Sequence, residues 1–266
     1  MSQAMPQAPP QAILDKDSSD TAGLISSDGG GTGTTWVSEI YDLVYNNRDA
    51  EKCKWDAIHK QVPFTELIIP GLTYGIEQLK NIQSPQLVKT HLPVQLLPFS
   101  LWKNDCKMIY VAQNAKDVAV SYYYFYQMAK MHPEPDTWEE FLDKFIAGKV
   151  CFGSWYEHVK GWWEKMKDYP ILYLFYEDMK EEPKKEVTKL IHFLGKKISE
   201  ELVDTIVYHT SFQEMKNNPT TNYTAMPDEF MNQKMSPFMR KGIVGDWKNH
   251  FTVALNERLD VHHERE

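Results

Sequence analysis

Short apolar runs alternate with stretches of helical spacing along most of this chain. Residues 86–90, 107–112 and 171–176 are apolar runs of the length that buried strands have, and a further short strand is expected from Leu24. Between these runs, apolar residues recur every three or four positions, which is typical of helices that bury one face. Strands that alternate with helices predict an α/β fold with a mostly parallel central sheet flanked by helices.

Local signals mark the starts of several helices. A helix is expected to begin near Thr34, directly after a glycine-rich turn. Thr137 with Glu140, and Ser211 with Glu214, have the spacing of a capping box. Residues 122–126 are all aromatic, which is too dense for one buried face, so some of these rings are expected to line a site. A further apolar stripe, assigned to the core, consists of Trp155, Val159, Trp162, Trp163 and Met166.

Composition divides the chain into a tail and one domain. Residues 1–23 combine Pro, Gln, Ala, Ser and Asp without apolar periodicity, which predicts a disordered tail. Residues 24–266 are long enough to bury one substantial core, so we expect a single domain there.

Charge and cysteine content limit the classes of function. The formal net charge of -8 argues against a general nucleic-acid or membrane-surface binder, so any anion must be captured locally. The three cysteines, Cys53, Cys106 and Cys151, share no metal-binding or redox spacing, and their odd number favours reduced thiols in a cytoplasmic protein. The chain contains neither an apolar run long enough to span a membrane nor a signal-peptide pattern, so no membrane partner is expected.

Polar residues follow the predicted strands and are candidates for one crevice. The glycine-rich turn at residues 28–33, His91, Gln113 and Glu177 each come directly after a strand. Ligands of parallel sheets bind beyond the carboxyl ends of the strands. The glycine-rich turn before a helix is suited to hold a phosphate or sulfate group. It lacks the lysine of a P-loop, and a flexible linker or an ordinary strand-to-helix turn is the alternative interpretation.

A set of longer motifs in the order expected for one family spans residues 24–257. These motifs are Gly33-Thr34-Thr35-Trp36, Lys89-Thr90-His91-Leu92-Pro93, Asn114-Ala115-Lys116-Asp117, Tyr173-Leu174-Phe175-Tyr176-Glu177-Asp178, Pro237-Phe238-Met239-Arg240-Lys241-Gly242 and Gly245-Asp246-Trp247-Lys248. The chain resembles the cytosolic sulfotransferases, most closely the group that acts on phenols. The resemblance implies a P-loop-type three-layer domain and transfer of a sulfuryl group from 3'-phosphoadenosine-5'-phosphosulfate (PAPS) to an acceptor hydroxyl. It implies no metal cofactor.

The resemblance also assigns two catalytic residues. His91 matches the histidine that takes the proton of the acceptor hydroxyl, a role suited to imidazole near neutral pH. Lys89 lies two residues earlier on the same strand face and is expected to stabilise the transferring sulfuryl group. The alternatives are a hydrogen-bonded histidine at a strand end and a solvated lysine at a sheet edge.

Further positions match the binding sites of the nucleotide, the acceptor and a second subunit. Alternative roles in core packing, helix capping or surface solvation apply to each of them. The expected nucleotide-binding residues are Thr32, Gly33, Thr34, Thr35, Trp36, Gln113, Ser121, Tyr176, Thr210, Phe212, Phe238, Met239, Arg240, Lys241 and Gly242. The expected acceptor-binding residues are Phe64, Phe125, His132 and Tyr223. Lys248, Thr252, Val253 and Glu257 match a short homodimerisation pattern.

Departures from the family pattern bear on activity. Gly31 stands where the family has a lysine that contacts the sulfate and the bridging oxygen, and Gln113 replaces an arginine that binds the 3'-phosphate. Both termini also differ from the family's segments. Two hypotheses follow: a phenol-type sulfotransferase, active or weakened, and a catalytically inactive relative that binds nucleotide or dimerises. A nucleotide kinase is disfavoured because no Walker lysine is identified.

Overall fold

A parallel sheet of four strands forms the centre of the computed structural model, which describes residues 23–28, 32–45, 57–66, 75, 78 and 87–266. The order across the sheet is β2-β1-β3-β4, and all three neighbouring pairs are parallel. The strands are β1 (Gly23–Ser27), β2 (Leu87–Thr90), β3 (Lys107–Ala112) and β4 (Ile171–Phe175).

Helices connect and flank these strands. Short 3-10 turns lie at Val94–Leu96 and Asp246–Asn249. The first helices are α1 (Thr32–Tyr45), α2 (Ile58–Gln61), α3 (Phe99–Lys103), α4 (Ala115–Met128), α5 (Trp138–Ile146) and α6 (Trp155–Lys165). The later helices are α7 (Tyr176–Glu181), α8 (Pro183–Phe193), α9 (Glu200–His209), α10 (Phe212–Asn217) and α11 (Val253–His263).

Alternation along β3 divides the core into two layers. Ile109 and Val111 pack with residues of α1, α8 and α9 on one face of the sheet. Met108 and Tyr110 pack on the other face, where Trp162 of α6 is fully buried. Successive side chains of a strand point to opposite faces, so a sheet with helices on both sides buries every residue of its central strands. The prediction of a three-layer α/β domain with a parallel sheet is confirmed.

Several local predictions can be compared directly with the structure. The capping box at Thr137 and Glu140 is confirmed in both directions. Ser211 accepts the Glu214 backbone N–H at 3.5 Å, but the Glu214 carboxylate lies 3.4 Å from the Tyr208 hydroxyl. Ser211 therefore caps α10, but the reciprocal hydrogen bond from the Ser211 backbone to Glu214 is not formed.

Three predicted boundaries or faces differ from the structure. Gly23, assigned to the tail, is the first residue of β1, and Tyr176, assigned to a strand, begins α7. Trp163 is 46% exposed although the apolar stripe placed it in the core. Trp162 and Trp163 are consecutive, and a helix cannot turn both rings to the same side, so Trp163 packs edge-on against Tyr173 near the sheet edge instead.

Some expectations lie outside the described residues. These include the tail at residues 1–22, the glycines at positions 29–31 and Cys53. Cys106 and Cys151 are free thiols, as expected. In the described part of the chain, no helix is both long and apolar enough to cross a membrane.

A buried acid on α1 makes stability depend on pH. Glu39 is 5% exposed, and burial, with the charge of Asp42, raises the pKa of its carboxyl from 4.5 to about 7. The folded chain therefore holds a proton that the unfolded chain releases between these values, so this group's contribution to stability is lost as pH rises through them.

We predict that Glu39→Gln flattens this pH dependence. At about 1.4 kcal/mol per pKa unit, the variant should gain up to about 3 kcal/mol in the free energy of unfolding, relative to the parent, between about pH 4.5 and 8. Urea unfolding at several pH values measures the difference. Glu164→Gln, at an exposed position on α6, is the matched control and should show no such gain. Parallel curves for the parent and Glu39→Gln would contradict the prediction.

Candidate functional site

The carboxyl ends of the four strands meet at one edge of the sheet and are tied together by hydrogen bonds. The Asp28 carboxylate, after β1, accepts the Gln113 backbone N–H, after β3, at 2.7 Å. Glu177, after β4, accepts the Asn114 backbone N–H at 3.0 Å. Ser27 contacts the His91 ring at 3.3 Å. The structure thus brings together the strand ends that the sequence placed in one crevice.

Helix α1 begins five residues after the end of β1, so its N-terminal end follows this edge of the sheet. Gly33 allows the helix to approach β3 closely, because a Cβ there would lie 3.1 Å from a Val111 methyl group. Thr34 and Thr35 are both almost fully buried. The N-terminal end of a 14-residue helix carries partial positive charge, which favours an anion. Thr32 is the first residue of this helix.

His91 is buried directly after the end of β2, and Ser27 holds one side of its ring. Its Nδ1 is 3.3 Å from both the hydroxyl and the backbone carbonyl of Ser27. A carbonyl oxygen only accepts, so Nδ1 carries the hydrogen in that contact and Nε2 is the basic nitrogen. Phe64 and Phe152 pack around the ring at 5.1 and 5.5 Å. Burial, with the charge of Lys89, lowers the pKa of His91 to about 3, so the ring is neutral at pH 7.

Lys89 places a cation two residues before His91. Its side chain is 6% exposed, and its Nζ donates to the Tyr223 hydroxyl at 3.3 Å. The ammonium also lies 5.2 Å from the centre of the Phe64 ring. The backbone of Lys89 is fixed by hydrogen bonds with Pro63 and Thr65, which extend the sheet beside β2. Lys89, His91, Phe64 and Tyr223 therefore form one cluster.

Asp28 is a member of this edge to which sequence reasoning gave no role. Besides the Gln113 N–H, its carboxylate accepts the Trp155 ring N–H at 3.1 Å. Burial raises the pKa of Asp28 to about 7 despite these hydrogen bonds. The sequence feature that could have identified Asp28 is its position, directly after a strand and next to the glycine-rich turn. A carboxyl here adds negative charge beside a site that is expected to bind an anion.

Aromatic side chains that are expected to hold the adenine ring lie together beside α1. Trp36 meets the Tyr176 ring edge-on at 5.8 Å, and the Trp36 ring nitrogen is buried with no hydrogen-bond partner among the described residues. Phe212 contacts Gly242 so closely that a Cβ there would lie 2.1 Å from the ring. The Thr210 hydroxyl caps back onto the Ile206 carbonyl at 2.8 Å, so its polar group serves α9.

The predicted 3'-phosphate cations share one buried acid. Arg240 and Lys241 each contact the carboxylate of Asp246 at 2.7 Å. Asp246 is 2% exposed and also accepts the Asn249 side chain at 2.9 Å. Burial raises the pKa of Asp246, but the hydrogen bonds from Lys241, Asn249 and Arg240 outweigh it and hold this pKa well below its usual value. The carboxylate therefore stays charged and fixes both cations.

A small cavity opens next to Arg240. Its guanidinium lies over the Tyr124 ring at 4.8 Å. Ser121, Phe125 and Phe238 line the same cavity, whereas Met239 is buried. Tyr124 and Phe125 belong to the aromatic run at residues 122–126, some rings of which were expected to line a site. The structure brings Ser121, Phe238 and Arg240 together around one cavity.

The expected acceptor residues fall into two neighbouring groups. Phe64 and Tyr223 flank Lys89, whereas Phe125 and His132 lie at the end of α4, 5.5 Å apart. A methionine cluster joins the two groups, because Phe125 and Tyr223 both pack against Met128, Met226 and Met231. Burial lowers the pKa of His132 to about 4.

The site gathers a buried histidine, three cations and several aromatic rings, and comparisons with known proteins define the class of the protein. A family model described as Sulfotransferase domain matches residues 30–266. The chain therefore belongs to the sulfotransferase family. Sulfotransferase 1 family member D1 of Rattus norvegicus is 72% identical over 229 residues, which cover 86% of this chain and 78% of that protein. Sulfotransferase 1E1 of Homo sapiens is 62% identical over 235 residues, covering 88% and 80%.

Solved structures agree with this assignment. Retinol dehydratase in complex with androsterone and the inactive cofactor PAP is similar with a TM-score of 0.81 at 25% identity, covering 95% of this chain and 82% of that one. Mouse sulfotransferase SULT7A1 complexed with PAP gives a TM-score of 0.72 at 30% identity, covering 94% and 86%. The predictions of the family and of a P-loop-type fold are confirmed.

We predict that Gly242→Ala is strongly destabilising. The backbone φ of +63° and the Phe212 contact both exclude a Cβ. The left-handed backbone alone costs about 1–2 kcal/mol for alanine, and forcing the ring aside adds about 1–3 kcal/mol. Thermal and urea unfolding measure the loss.

Gly153→Ala provides the matched control for this substitution. Gly153 has a φ of +85° but open space around its Cβ position, so only the backbone cost applies. Equal losses in the two variants would show that Phe212 does not press on residue 242.

Proposed function

We propose that this chain transfers a sulfuryl group from PAPS to the hydroxyl of a small phenolic acceptor. The observation that carries the proposal is the cluster of a buried neutral His91 and the buried Lys89 cation at the carboxyl end of β2. Membership of the sulfotransferase family and the likeness to PAP-bound relatives support it. The cytoplasm is the proposed compartment, as the likeness to cytosolic sulfotransferases implies.

The described residues fit an adenine nucleotide that carries an additional phosphate. The Trp36 ring nitrogen is a buried hydrogen-bond donor without a partner among them. Gly242 has no side chain, and the Phe212 ring lies directly against its backbone. Arg240, which pairs a guanidinium fork with phosphate oxygens, is the proposed main ligand of the 3'-phosphate, with Lys241 and Ser121 beside it. PAPS, when bound, supplies the activated sulfuryl group.

In the proposed mechanism, His91 takes the proton of the acceptor hydroxyl at Nε2. Ser27 holds the other ring nitrogen, so the basic nitrogen keeps its direction. Negative charge beside an imidazole raises its pKa, and an anion at this edge would therefore bring His91 closer to the basicity that proton transfer needs. The Lys89 ammonium stabilises the negative oxygens of the transferring group.

The apolar surroundings of His91 and Lys89 favour an aromatic acceptor. Phe64, Tyr223 and the methionine cluster supply flat and adaptable apolar surface, and Phe125 and His132 extend it. A phenol presents a hydroxyl on a ring, which matches a site that is apolar around one proton acceptor.

A catalytically inactive relative is the second candidate. The observation that favours it is the buried Asp28 carboxyl beside a turn that holds glycine instead of lysine at position 31. Negative charge at this place opposes the charge that develops on the leaving group. In that case the chain would still bind the adenine nucleotide or form dimers.

We predict that purified protein sulfates 4-nitrophenol in a PAPS-dependent reaction. His91→Ala should lower kcat at least about 100-fold, because it removes the general base. Gly31→Lys should raise kcat by about 100- to 1,000-fold, because it returns a cation to the leaving group. Gly29→Lys adds the same charge elsewhere in the turn and should leave kcat nearly unchanged.

Calorimetry with 3'-phosphoadenosine-5'-phosphate separates the two candidates. If the parent and Gly31→Lys both fail to turn over while this nucleotide binds and raises the melting temperature, the inactive relative is correct. If neither protein binds the nucleotide, both interpretations of the pocket fail.

A homodimer through Lys248, Thr252, Val253 and Glu257 is proposed as the assembly. Thr252 caps α11 through its hydroxyl, which aligns the helix, and Val253 is 76% exposed at its first turn. A contact with a second copy would remove this apolar side chain from water.

We predict that Val253→Glu shifts the protein from dimer to monomer, because a charge in an apolar contact is costly to desolvate. Light scattering coupled to size exclusion measures the mass. Leu96→Glu, at a 51% exposed position in the 3-10 turn Val94–Leu96 and away from α11, is the control and should remain dimeric. A monomeric parent, or a dimeric Val253→Glu, would disprove this interface.

A further inference from the structure

His158 is a buried histidine, remote from the predicted site residues in sequence, that contacts the backbone of His91. It lies on α6, is 3% exposed, and has both ring nitrogens in hydrogen bonds. Its Nε2 lies 3.0 Å from the carbonyl oxygen of His91, and its Nδ1 lies 2.8 Å from the Tyr110 hydroxyl. The Tyr110 ring stacks against the imidazole at 5.6 Å and is itself fully buried.

The partners determine the direction of both hydrogen bonds. A carbonyl oxygen accepts only, so His158 carries its hydrogen on Nε2 and donates it to His91. Nδ1 is then an acceptor and receives the hydroxyl hydrogen of Tyr110. This requires a neutral ring, and burial lowers the pKa of His158 to about 4, so the ring is neutral at pH 7.

The His158 contact completes a set of supports around His91. The His91 backbone N–H donates to the Glu66 carboxyl, and the His91 ring is held by Ser27. His158 holds the backbone carbonyl of His91 from α6. β2 ends at Thr90, so the sheet no longer fixes the backbone at residue 91. Side-chain contacts must therefore hold the backbone of His91, from which its ring extends.

We propose that His158 is a positioning residue for proton transfer at His91, acting through the hydrogen-bonded chain from Tyr110 to His158 to the His91 carbonyl. The inference rests on the proposed function in one respect, that His91 is the base. A displacement of about 1 Å between reacting groups costs roughly 100-fold in rate, so a backbone anchor at this residue affects turnover directly.

A pair of substitutions separates the hydrogen bond from the volume of the side chain. His158→Gln places an amide N–H near the position of Nε2 and keeps the donor, whereas His158→Met has similar length and no donor. Both remove the imidazole, so any effect of its charge on His91 is the same in the two variants. Lys89, Ser27, Phe64 and Phe152, which face the His91 ring, are unchanged.

Tyr110→Phe provides a milder test that keeps His158 itself. It removes only the hydroxyl that orients the ring. Tyr156→Phe is the matched control, because the Tyr156 hydroxyl is on the same helix as His158 and is buried without a hydrogen-bond partner among the described residues. This pair keeps the proposal testable if His158→Met fails to fold.

The first readout is the NMR titration of His91 in the purified protein without nucleotide. In the parent and in His158→Gln, His91 should not titrate between about pH 5 and 8. In His158→Met the less constrained ring should reach water, and its pKa should rise towards the ordinary value of 6.5. Tyr110→Phe should show a smaller change in the same direction, and Tyr156→Phe none. This readout does not depend on turnover.

The second readout is kinetic. With 4-nitrophenol and PAPS, His158→Met should lose about ten- to 100-fold in kcat, His158→Gln should regain most of it, and the affinity for 3'-phosphoadenosine-5'-phosphate should be the same in all variants. A melting temperature that falls equally in Gln and Met variants, with an unchanged His91 titration, would overturn the proposal. If the parent lacks turnover but the titrations behave as stated, the positioning role holds and the proposed function fails.

Discussion

The parallel register of the four strands is the constraint on which the site depends. It aligns Ser26 of β1 with Thr90 and Tyr110, and Ala112 of β3 with Phe175, so that the residues after each strand emerge at one edge. The carboxylates of Asp28 and Glu177 accept backbone N–H groups of Gln113 and Asn114, and these hydrogen bonds join neighbouring strand ends across that edge. Gly33 at the start of α1 lets the helix lie close against Val111 of β3.

Several charges near this edge differ in sign from the net charge of the whole chain. The chain carries a net charge of -8, yet Lys89, Arg240 and Lys241 are cations at or near the residues of the proposed site. Each cation has a specific support: Tyr223 for Lys89, and the buried Asp246 for the other two. A fixed cation costs less to organise around an anion than a mobile one, because its rotamer entropy has already been lost during folding. Asp28 is the acid among these groups, and burial raises its pKa because a buried charge is unfavourable.

Long-range contacts explain what sequence reasoning missed. The contact between Asp28 and Gln113 spans 85 positions, and the contact between His158 and the His91 carbonyl spans 67. Neither pair has a spacing that periodicity can detect. Asp246 belongs to the motif Gly245-Asp246-Trp247-Lys248, but only the structure shows that it binds Arg240 and Lys241 together. Trp163 was misplaced because a stripe of tryptophans does not reveal which of two consecutive rings faces the sheet.

The sequence by itself determined the elements, because apolar periodicity and capping depend on neighbours along the chain. β3 has the predicted bounds, and Thr137 with Glu140 caps α5 as their spacing required. It also indicated the crevice, since strand ends of a parallel sheet share one edge. Only the tertiary structure decided the environment of each group in it. Burial makes the His91 ring neutral, and the packing of α6 against the sheet brings His158 to its carbonyl. These are properties of the folded arrangement, since desolvation and hydrogen-bond partners do not exist until distant segments pack together.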